Sequence, residues 1–247
     1  MEPRTAAFTP EGDLVRWIEL PGEGDPVVYV HGLGCHGAAT WAASAVRLGR
    51  RAIILDLPGH GRSDRPASFA YSLPDLAEAV ARVIEAVSDR PLDVVSHSLG
   101  GSAAIVLAAA HPELVSRSVL VEPGIDVHPV LPGDLGAWTD DQVVAGGWDE
   151  LLAAEVPWRR ADVRLADPLA IVRSARHISA GLDGGLPRLI ADSSVPTTLV
   201  RSPLRTYTAA PAFESALVDQ IVISDAGHFV MLDQPEAFDG ALRAALA

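Results

Sequence analysis

Ser98 and His228 are the two residues of this sequence whose types and settings together suit nucleophilic catalysis. Ser98 lies in the run SHSLGG (residues 96–101), and His228 lies in the run AGHF (residues 226–229) near the end of the chain. A serine hydroxyl attacks a carbonyl poorly by itself, whereas a neighbouring imidazole can take its proton and later deliver it to a leaving group. We therefore predict that Ser98 is a nucleophile and that His228 is its base.

The segments around Ser98 predict how the hydroxyl is presented. Residues 92–96 are apolar and β-branched, which predicts a strand, and the alanine-rich residues 98–110 predict a helix. A tight turn between them needs small residues two positions before and after the serine, and Ser96 and Gly100 stand there. This pattern is typical of a nucleophile elbow, which would place the hydroxyl at the carboxyl end of the sheet beside a helix N-terminus that favours negative charge.

Two further loops follow predicted strands. The run HGLG (residues 31–34) is expected to supply half of an oxyanion hole, and we assign the backbone N–H groups of Leu33 and Leu99 to that role. A plain turn that needs glycine is the alternative interpretation of HGLG. The run DLPGHGRSD (residues 56–64) is interpreted as loop structure, so His60 and Asp64 are left outside the site.

Short apolar runs alternate with longer helical patterns along the chain, which predicts an α/β fold with a mostly parallel, twisted sheet and helices on both faces. A capping box is expected at Ser72 and Asp75, where the first of the predicted helices begins. Strands are predicted at residues 27–31, 52–56, 92–96, 118–122, 197–201 and 220–224, and helices at residues 73–87, 98–110 and 235–246.

Residues 124–187, called the cap segment below, lack a strand pattern and are punctuated by glycine and proline. We interpret them as a helical cap inserted into a core domain of residues 1–123 and 188–247. Trp138, Trp148 and Trp158 of this segment are candidate contacts for an apolar substrate, because ligand pockets are mostly hydrophobic. Packing between short helices is the competing interpretation for all three.

Composition excludes several classes of protein. The 247 residues are 49% hydrophobic, enough for a large core, and the formal net charge of −13 argues against a nucleic-acid partner. No signal-peptide pattern or long apolar run is present, which predicts a soluble cytoplasmic protein without a membrane partner.

Cys35 is the one cysteine, so neither an internal disulfide nor a cysteine-based zinc site is expected. The expected partner is a small-molecule substrate, and the chain is expected to be a monomer or a homodimer.

The motifs HGLG, DLPGHGRSD, SHSLGG and AGHF, in this order, resemble those of the α/β-hydrolase superfamily over nearly the whole chain outside the cap segment. The resemblance implies the α/β-hydrolase fold and a triad in the chain order serine, acid, histidine. It also implies that no metal and no organic cofactor is needed.

The acid departs from the common family pattern. Many members carry a glycine and then an aspartate after the penultimate strand, but this chain has Ser202 and Arg205 at those places. A cation cannot orient an imidazole or stabilise its protonated form. Either the triad is broken or its acid lies elsewhere.

Glu122 is the best alternative acid. It ends the predicted strand 118–122, 24 positions after Ser98, and matches the acid position of capped enzymes resembling haloalkane dehalogenases and zearalenone-type lactonases. Asp126 and Asp225 are weaker candidates, the first because it lies beyond a Pro-Gly turn and the second because of its place before Ala226 and Gly227.

A serine rather than an aspartate at position 98 favours acyl chemistry over attack on saturated carbon. We therefore expect a hydrolase that cleaves an ester or a lactone through an acyl-enzyme. The same triad could instead hydrolyse a thioester or a carbon–carbon bond beside a ketone. A different class of function also stays open, a small-molecule binding domain that has lost catalysis, for which Arg205 would be the first sign.

Overall fold

A mixed sheet of eight strands forms the centre of the protein. The structure, a computed structural model, describes residues 4–125, 135–180, 185–204 and 217–247. Its strands are β1 (Arg4–Ala7), β2 (Leu14–Leu20), β3 (Glu23–Val30), β4 (Arg50–Asp56), β5 (Leu92–His97), β6 (Val115–Val121), β7 (Thr197–Arg201) and β8 (Val218–Val222). Their order is β1-β2-β4-β3-β5-β6-β7-β8. β1 and β4 pair antiparallel with β2, and every other neighbouring pair is parallel.

All six predicted strands are confirmed, with ends that differ by at most four residues, but the sequence prediction lacks β1 and β2. The reason is physical. The predicted strands are apolar on both faces, as buried parallel strands are, whereas β1 and β2 lie at one side of the sheet and are mixed in polarity. In β2, Val15 and Trp17 are buried while their neighbours are partly exposed, which is the alternation of a half-buried antiparallel strand.

Helices connect most of the parallel strands. They are α1 (Gly37–Leu48), α2 (Leu73–Val87), α3 (Leu99–Ala110), α4 (Asp140–Gln142), α5 (Trp148–Ala154), α6 (Pro157–Val163), α7 (Pro168–Ala180), α8 (Gly185–Ala191), α9 (Val230–Asp233) and α10 (Pro235–Ala245). The predicted helix over residues 73–87 is confirmed with its capping box, in which Ser72 Oγ accepts from the Asp75 N–H. The helices predicted over residues 98–110 and 235–246 are confirmed to within one residue. Helix α1 is absent from the prediction.

The core lies on both faces of the sheet because consecutive strand residues point to opposite sides. In β3, Val28 and Val30 pack into one hydrophobic cluster while Val27 and Tyr29 pack into another. The first cluster includes residues of α2, α3 and α7, and the second includes residues of α1, α9 and α10. The sheet is therefore covered by helices on both faces. The strands from β3 to β8 are parallel, so the loops that follow them lie at the same edge of the sheet.

The described part of the cap segment is helical. Between β6 and β7 it contains α4 to α7, the start of α8, and a π-helical turn at Val143–Gly147. The predicted boundary at residue 187 falls inside α8, so the division into core and cap stays a prediction. Among the residues described, no helix is both long and apolar enough to cross a bilayer.

Candidate active site

Ser98 occupies a strained turn between β5 and α3. Its φ and ψ are 52° and −117°, a conformation that a non-glycine residue rarely adopts, and its side chain faces the carboxyl edge of the sheet. The turn is held by main-chain bonds: the Ser98 N–H donates to the Val121 carbonyl at 3.0 Å, and the Ser98 carbonyl accepts from the N–H groups of Ser102 and Gly124. This is the elbow that the sequence predicts.

Two glycines, Gly100 of the elbow and Gly32 of the HGLG loop, allow these two segments to approach each other closely. A Cβ on Gly100 would lie 2.5 Å from the His31 carbonyl oxygen. A Cβ on Gly32 would lie 2.8 Å from His97 Nδ1 and 3.0 Å from Ser98 Cβ. The HGLG loop and the elbow are therefore in direct contact at both glycines, and there is no room between them for a methyl group.

His228 lies on the loop between β8 and α9, as predicted, and faces the serine. Its Nε2 atom is 3.1 Å from Ser98 Oγ, a distance at which the hydroxyl can donate to the ring. Donation to Nε2 places the proton of the neutral imidazole on Nδ1. The Nδ1 atom lies 3.7 Å from Glu122 Oε2, longer than a hydrogen bond but within reach of an ion pair once the ring is protonated.

Glu122 directly follows β6, beside the elbow strand. It is 1% exposed and has a φ of 46°, so the backbone turns sharply to bring its carboxylate to the histidine. Its Oε1 accepts a hydrogen bond of 2.5 Å from the Ser202 N–H. Of the other two acid candidates, Asp225 is exposed, whereas Asp126, like Arg205, lies outside the described residues.

Ser202, which stands where the common family pattern has glycine, therefore contacts the proposed acid Glu122. Its contribution is a main-chain N–H, which the sequence alone could not indicate. The bond fixes one carboxylate oxygen of Glu122 and leaves the other directed to His228. The structure thus places Ser98 Oγ on one side of the His228 ring and the Glu122 carboxylate on the other.

His97, which sequence reasoning left outside the site, supports the histidine loop. Its Nε2 donates to the His228 carbonyl oxygen at 2.8 Å, and the two imidazole rings lie 4.7 Å apart between centroids. Its place directly before Ser98 is the sequence signal that could have suggested this role. Because His97 belongs to the elbow, this hydrogen bond ties the backbone of His228 to the strand that precedes Ser98.

The proposed oxyanion donors, the N–H groups of Leu33 and Leu99, lie at or next to the elbow. Leu99 is the first residue of α3, and Leu33 lies in the HGLG loop. Within the described ranges, the N–H groups of both residues donate no hydrogen bond to the protein. Gly34, the next residue of the loop, donates its N–H to His60 Nε2 at 3.3 Å. This bond anchors the HGLG loop.

His31 and His60 act as buried neutral acceptors beneath this loop. The Leu57 N–H donates to His31 Nε2 at 2.9 Å, and the two rings lie 5.2 Å apart. Burial lowers the pKa of His31 to about 4 and the pKa of His60 to about 3. Both rings therefore stay neutral at neutral pH. His60 contacts main-chain groups of Gly34 and Pro58, and its place outside the site stays a prediction.

These two histidines predict a loss of stability in mild acid. The unfolded chain binds protons at its histidines near pH 6.5, whereas the folded chain resists protonation of His31 and His60, so the free energy of unfolding falls as pH decreases below that value. The expected cost at pH 5 is about 2 kcal/mol per histidine. Urea unfolding at pH 7, 6 and 5 should show a shallower pH dependence for His60→Gln than for the wild type.

His111→Gln is the control for this experiment, because it changes the slope in the other direction. A hydrogen bond to Glu78 raises the pKa of His111, so this residue adds stability at low pH that is lost as the pH rises. Its removal should make the loss in acid steeper. Equal slopes for the wild type and His60→Gln would contradict the neutral state of His60.

The three tryptophans of the cap segment differ in position. Trp158 of α6 meets the Phe229 ring edge to face, with centroids 5.0 Å apart, and Phe229 follows His228. Trp138 and Trp148 pack against the larger hydrophobic cluster, and in the described part of the chain neither ring contacts that of Phe229. Trp158 is the one that the structure brings to the site, which favours packing as the role of the other two.

Several curated proteins match part of this chain in sequence. The chain is 40% identical over 108 residues to an esterase of Mycobacterium tuberculosis, a match that covers 44% of this chain and 35% of that protein. It is 36% identical over 123 residues to a 2-hydroxymuconate semialdehyde hydrolase of Pseudomonas putida, covering 47% of this chain and 43% of the relative. Matches of this kind span less than half of the length of the curated relatives.

The fold matches over a much longer stretch. The solved structure of an esterase from Exiguobacterium antarcticum superposes with a TM-score of 0.77 at 24% sequence identity, covering 97% of this chain and 98% of the other. The family model described as alpha/beta hydrolase fold matches residues 25–178, which include the HGLG loop, the elbow and Glu122. The chain therefore belongs to the α/β-hydrolase fold family.

Proposed function

We propose that this protein is a serine hydrolase that cleaves a carboxylic ester or a lactone of a small substrate through an acyl-enzyme. The observation that carries the proposal is the 3.1 Å contact between Ser98 Oγ and His228 Nε2 at a strained elbow. Strain of this kind is costly and is concentrated at functional sites. The esterase relative of Mycobacterium tuberculosis supports the same class of reaction.

The proposed reaction has two stages. In the first, Ser98 Oγ attacks the carbonyl carbon while its proton passes to His228 Nε2, and the N–H groups of Leu33 and Leu99 hold the negative oxygen. The bond to the leaving oxygen breaks as the Nε2 proton moves to that oxygen. In the second stage, water gives a proton to His228 and attacks the acyl carbon, and Ser98 leaves with its proton restored.

Glu122 serves this cycle without reacting itself. Its carboxylate faces Nδ1, so it favours the tautomer in which Nε2 is the acceptor, and it stabilises the imidazolium that forms twice in each cycle. Burial strengthens this effect, because the charge is poorly screened at a residue that is 1% exposed. The Ser202 N–H keeps the carboxylate in place as the ring charges and discharges.

We further propose that the cap segment covers the site. Trp158 and Arg159 of α6 contact Phe229, and Arg159 also reaches the Leu33 carbonyl. Helix α6 therefore contacts the residue that follows His228 and the HGLG loop. A roof of this kind would exclude bulk water from the acyl-enzyme and would shape the pocket for the substrate.

A fluorophosphonate probe tests whether the serine is active. We expect stoichiometric labelling at Ser98, found by peptide mass spectrometry, because the probe reacts with serines activated by a neighbouring base. Folded protein that is not labelled at neutral pH would exclude the serine hydrolase and favour a binding domain on the same scaffold.

A substrate panel then separates the reactions that this triad can perform. It contains p-nitrophenyl esters, macrolactones, acyl thioesters and a vinylogous diketone. Hydrolysis of the esters or lactones with kcat/KM values at least tenfold above those of the other two classes is the expected result. Turnover of the diketone alone would replace the proposal with carbon–carbon bond hydrolysis.

A further inference from the structure

Arg159 is a buried cation beside the proposed catalytic residues. It lies on α6 and is 6% exposed, whereas Arg164 at the end of the same helix is exposed. A guanidinium that leaves water loses strong hydration and needs charged or well-aligned acceptors in return. Its partners therefore indicate what the site is built to hold.

The described partners of Arg159 leave the outer edge of its guanidinium poorly matched. Its Nε atom lies 3.6 Å from Glu155 Oε2, so one carboxylate balances the charge from the inner side. Nη1 donates to the Cys35 sulfur at 3.1 Å, and Nη2 donates to the Leu33 carbonyl at 3.5 Å. A thiol is a weak acceptor, and a contact of 3.5 Å is at the limit of a hydrogen bond.

Cys35 does not supply a second negative charge. Burial raises the pKa of its thiol to about 11, in spite of the neighbouring Arg159. The sulfur is therefore neutral near pH 7. Both Nη groups, which form the edge that binds carboxylates in a bidentate manner, thus face neutral acceptors in the described structure.

The guanidinium of Arg159 contacts two loops that carry proposed catalytic groups. The Leu33 carbonyl that it meets belongs to the residue whose N–H is proposed to hold the oxyanion. On another side, the Arg159 Cζ atom lies 5.3 Å from the centroid of the Phe229 ring, and Phe229 follows His228. Arg159 therefore stands between the oxyanion loop and the loop of the base.

We propose that Arg159 binds a carboxylate on the substrate, so that the preferred ester or lactone carries a negative charge apart from its scissile group. An incoming carboxylate would replace the thiol and the carbonyl as the partner of both Nη groups, with Glu155 still holding Nε. The inference rests on the proposed function, because it assigns a substrate class to the same cleft. It also narrows the expectation of an apolar substrate to a ligand with an anionic end.

Matched ester pairs test this substrate class. In each pair one p-nitrophenyl ester ends in a carboxylate, as in the glutarate and adipate half-esters, and the other has an isopropyl group in its place. A second set places the same two groups on the leaving phenol. For the wild type we expect kcat/KM at least tenfold higher for the carboxylate member in one of the sets. A neutral preference in both sets would overturn the inference.

Substitution of Arg159 provides the decisive comparison. Arg159→Met should lower the ratio of kcat/KM for carboxylate over neutral ester by about 100-fold, since charged hydrogen bonds are lost for one member of the pair. Arg159→Lys keeps the positive charge but lacks the paired N–H donors of the guanidinium, so it should give an intermediate ratio. Arg164→Met is the matched control and should leave the ratio unchanged. If Arg159 were merely structural, both rates would fall together and the ratio would stay constant.

A binding measurement separates this inference from the proposed function. Calorimetric titration with adipate should show binding to the wild type and to Ser98→Ala, and none to Arg159→Met. Adipate binding that depends on Arg159 in a protein that hydrolyses no ester would support the carboxylate site and reject the hydrolase. Ester hydrolysis without charge preference and without adipate binding would reject the carboxylate site and keep the hydrolase.

Discussion

Replacing Ser98 with alanine should lower kcat for a p-nitrophenyl ester by about 10⁵- to 10⁶-fold. The variant lacks the atom that forms the acyl-enzyme, so His228 has no proton to withdraw and the reaction loses its covalent path. The oxyanion donors stay in place, so a small residual rate above that of water is expected. Steady-state kinetics should show the loss in kcat, and the rapid burst of p-nitrophenol should disappear completely.

Ser118→Ala is the control for the serine experiment. Ser118 lies on β6, four residues before Glu122, and is buried like Ser98, but its hydroxyl faces no proton acceptor in the described residues. Its kcat should equal that of the wild type. If Ser98→Ala kept more than about 1% of the activity while folded, another residue would have to be the nucleophile.

Replacing Glu122 with glutamine is the second large effect, a fall in kcat of about 10³- to 10⁴-fold. The amide oxygen can still accept from the Ser202 N–H, so the local geometry is kept. Its NH₂ group, however, faces His228 Nδ1 and favours the tautomer in which Nδ1 is the acceptor, which leaves Nε2 unable to take the serine proton. KM should change little, because Glu122 is not expected to contact the substrate. Steady-state kinetics over a range of pH provide the measurement.

Asp225→Asn is the matched control for the acid. Asp225 is also acidic, precedes His228 in sequence and has a positive φ of 55°, but it is exposed. Its substitution should leave kcat within a factor of about two, as expected for an exposed charge. The opposite pattern, with activity lost in Asp225→Asn and kept in Glu122→Gln, would move the triad acid to residue 225.

Local sequence patterns predict the elements whose own residues determine them. The helix Leu73–Val87 is found with the same bounds because Ser72, Asp75 and an apolar face specify it without help from distant residues. Strands β1 and β2 could not be predicted in the same way. Their burial depends on which side of the sheet they join, and β2 is in register with β4, whose residues lie more than 30 positions away.

The same distinction holds for the candidate site. Ser98, His228 and Glu122 are named from motifs and from the ends of predicted strands, and the structure places them in contact distance. The roles of His97 and Arg159 depend on contacts across 131 and 126 positions of sequence, and no local pattern encodes such contacts. The three residues that lie together could therefore be named from the sequence, and their catalytic roles stay a prediction, whereas the residues that contact them from distant parts of the chain could not be named.

The main-chain bond from Ser202 to Glu122 affects how related chains can be compared. A carboxylate held by an N–H group depends on the course of the backbone after β7, and any residue other than proline can donate that bond. The type of residue at position 202 in an alignment therefore does not indicate whether this hydrogen bond is present. A relative that keeps this contact cannot have proline at the position of Ser202, because proline has no N–H to donate.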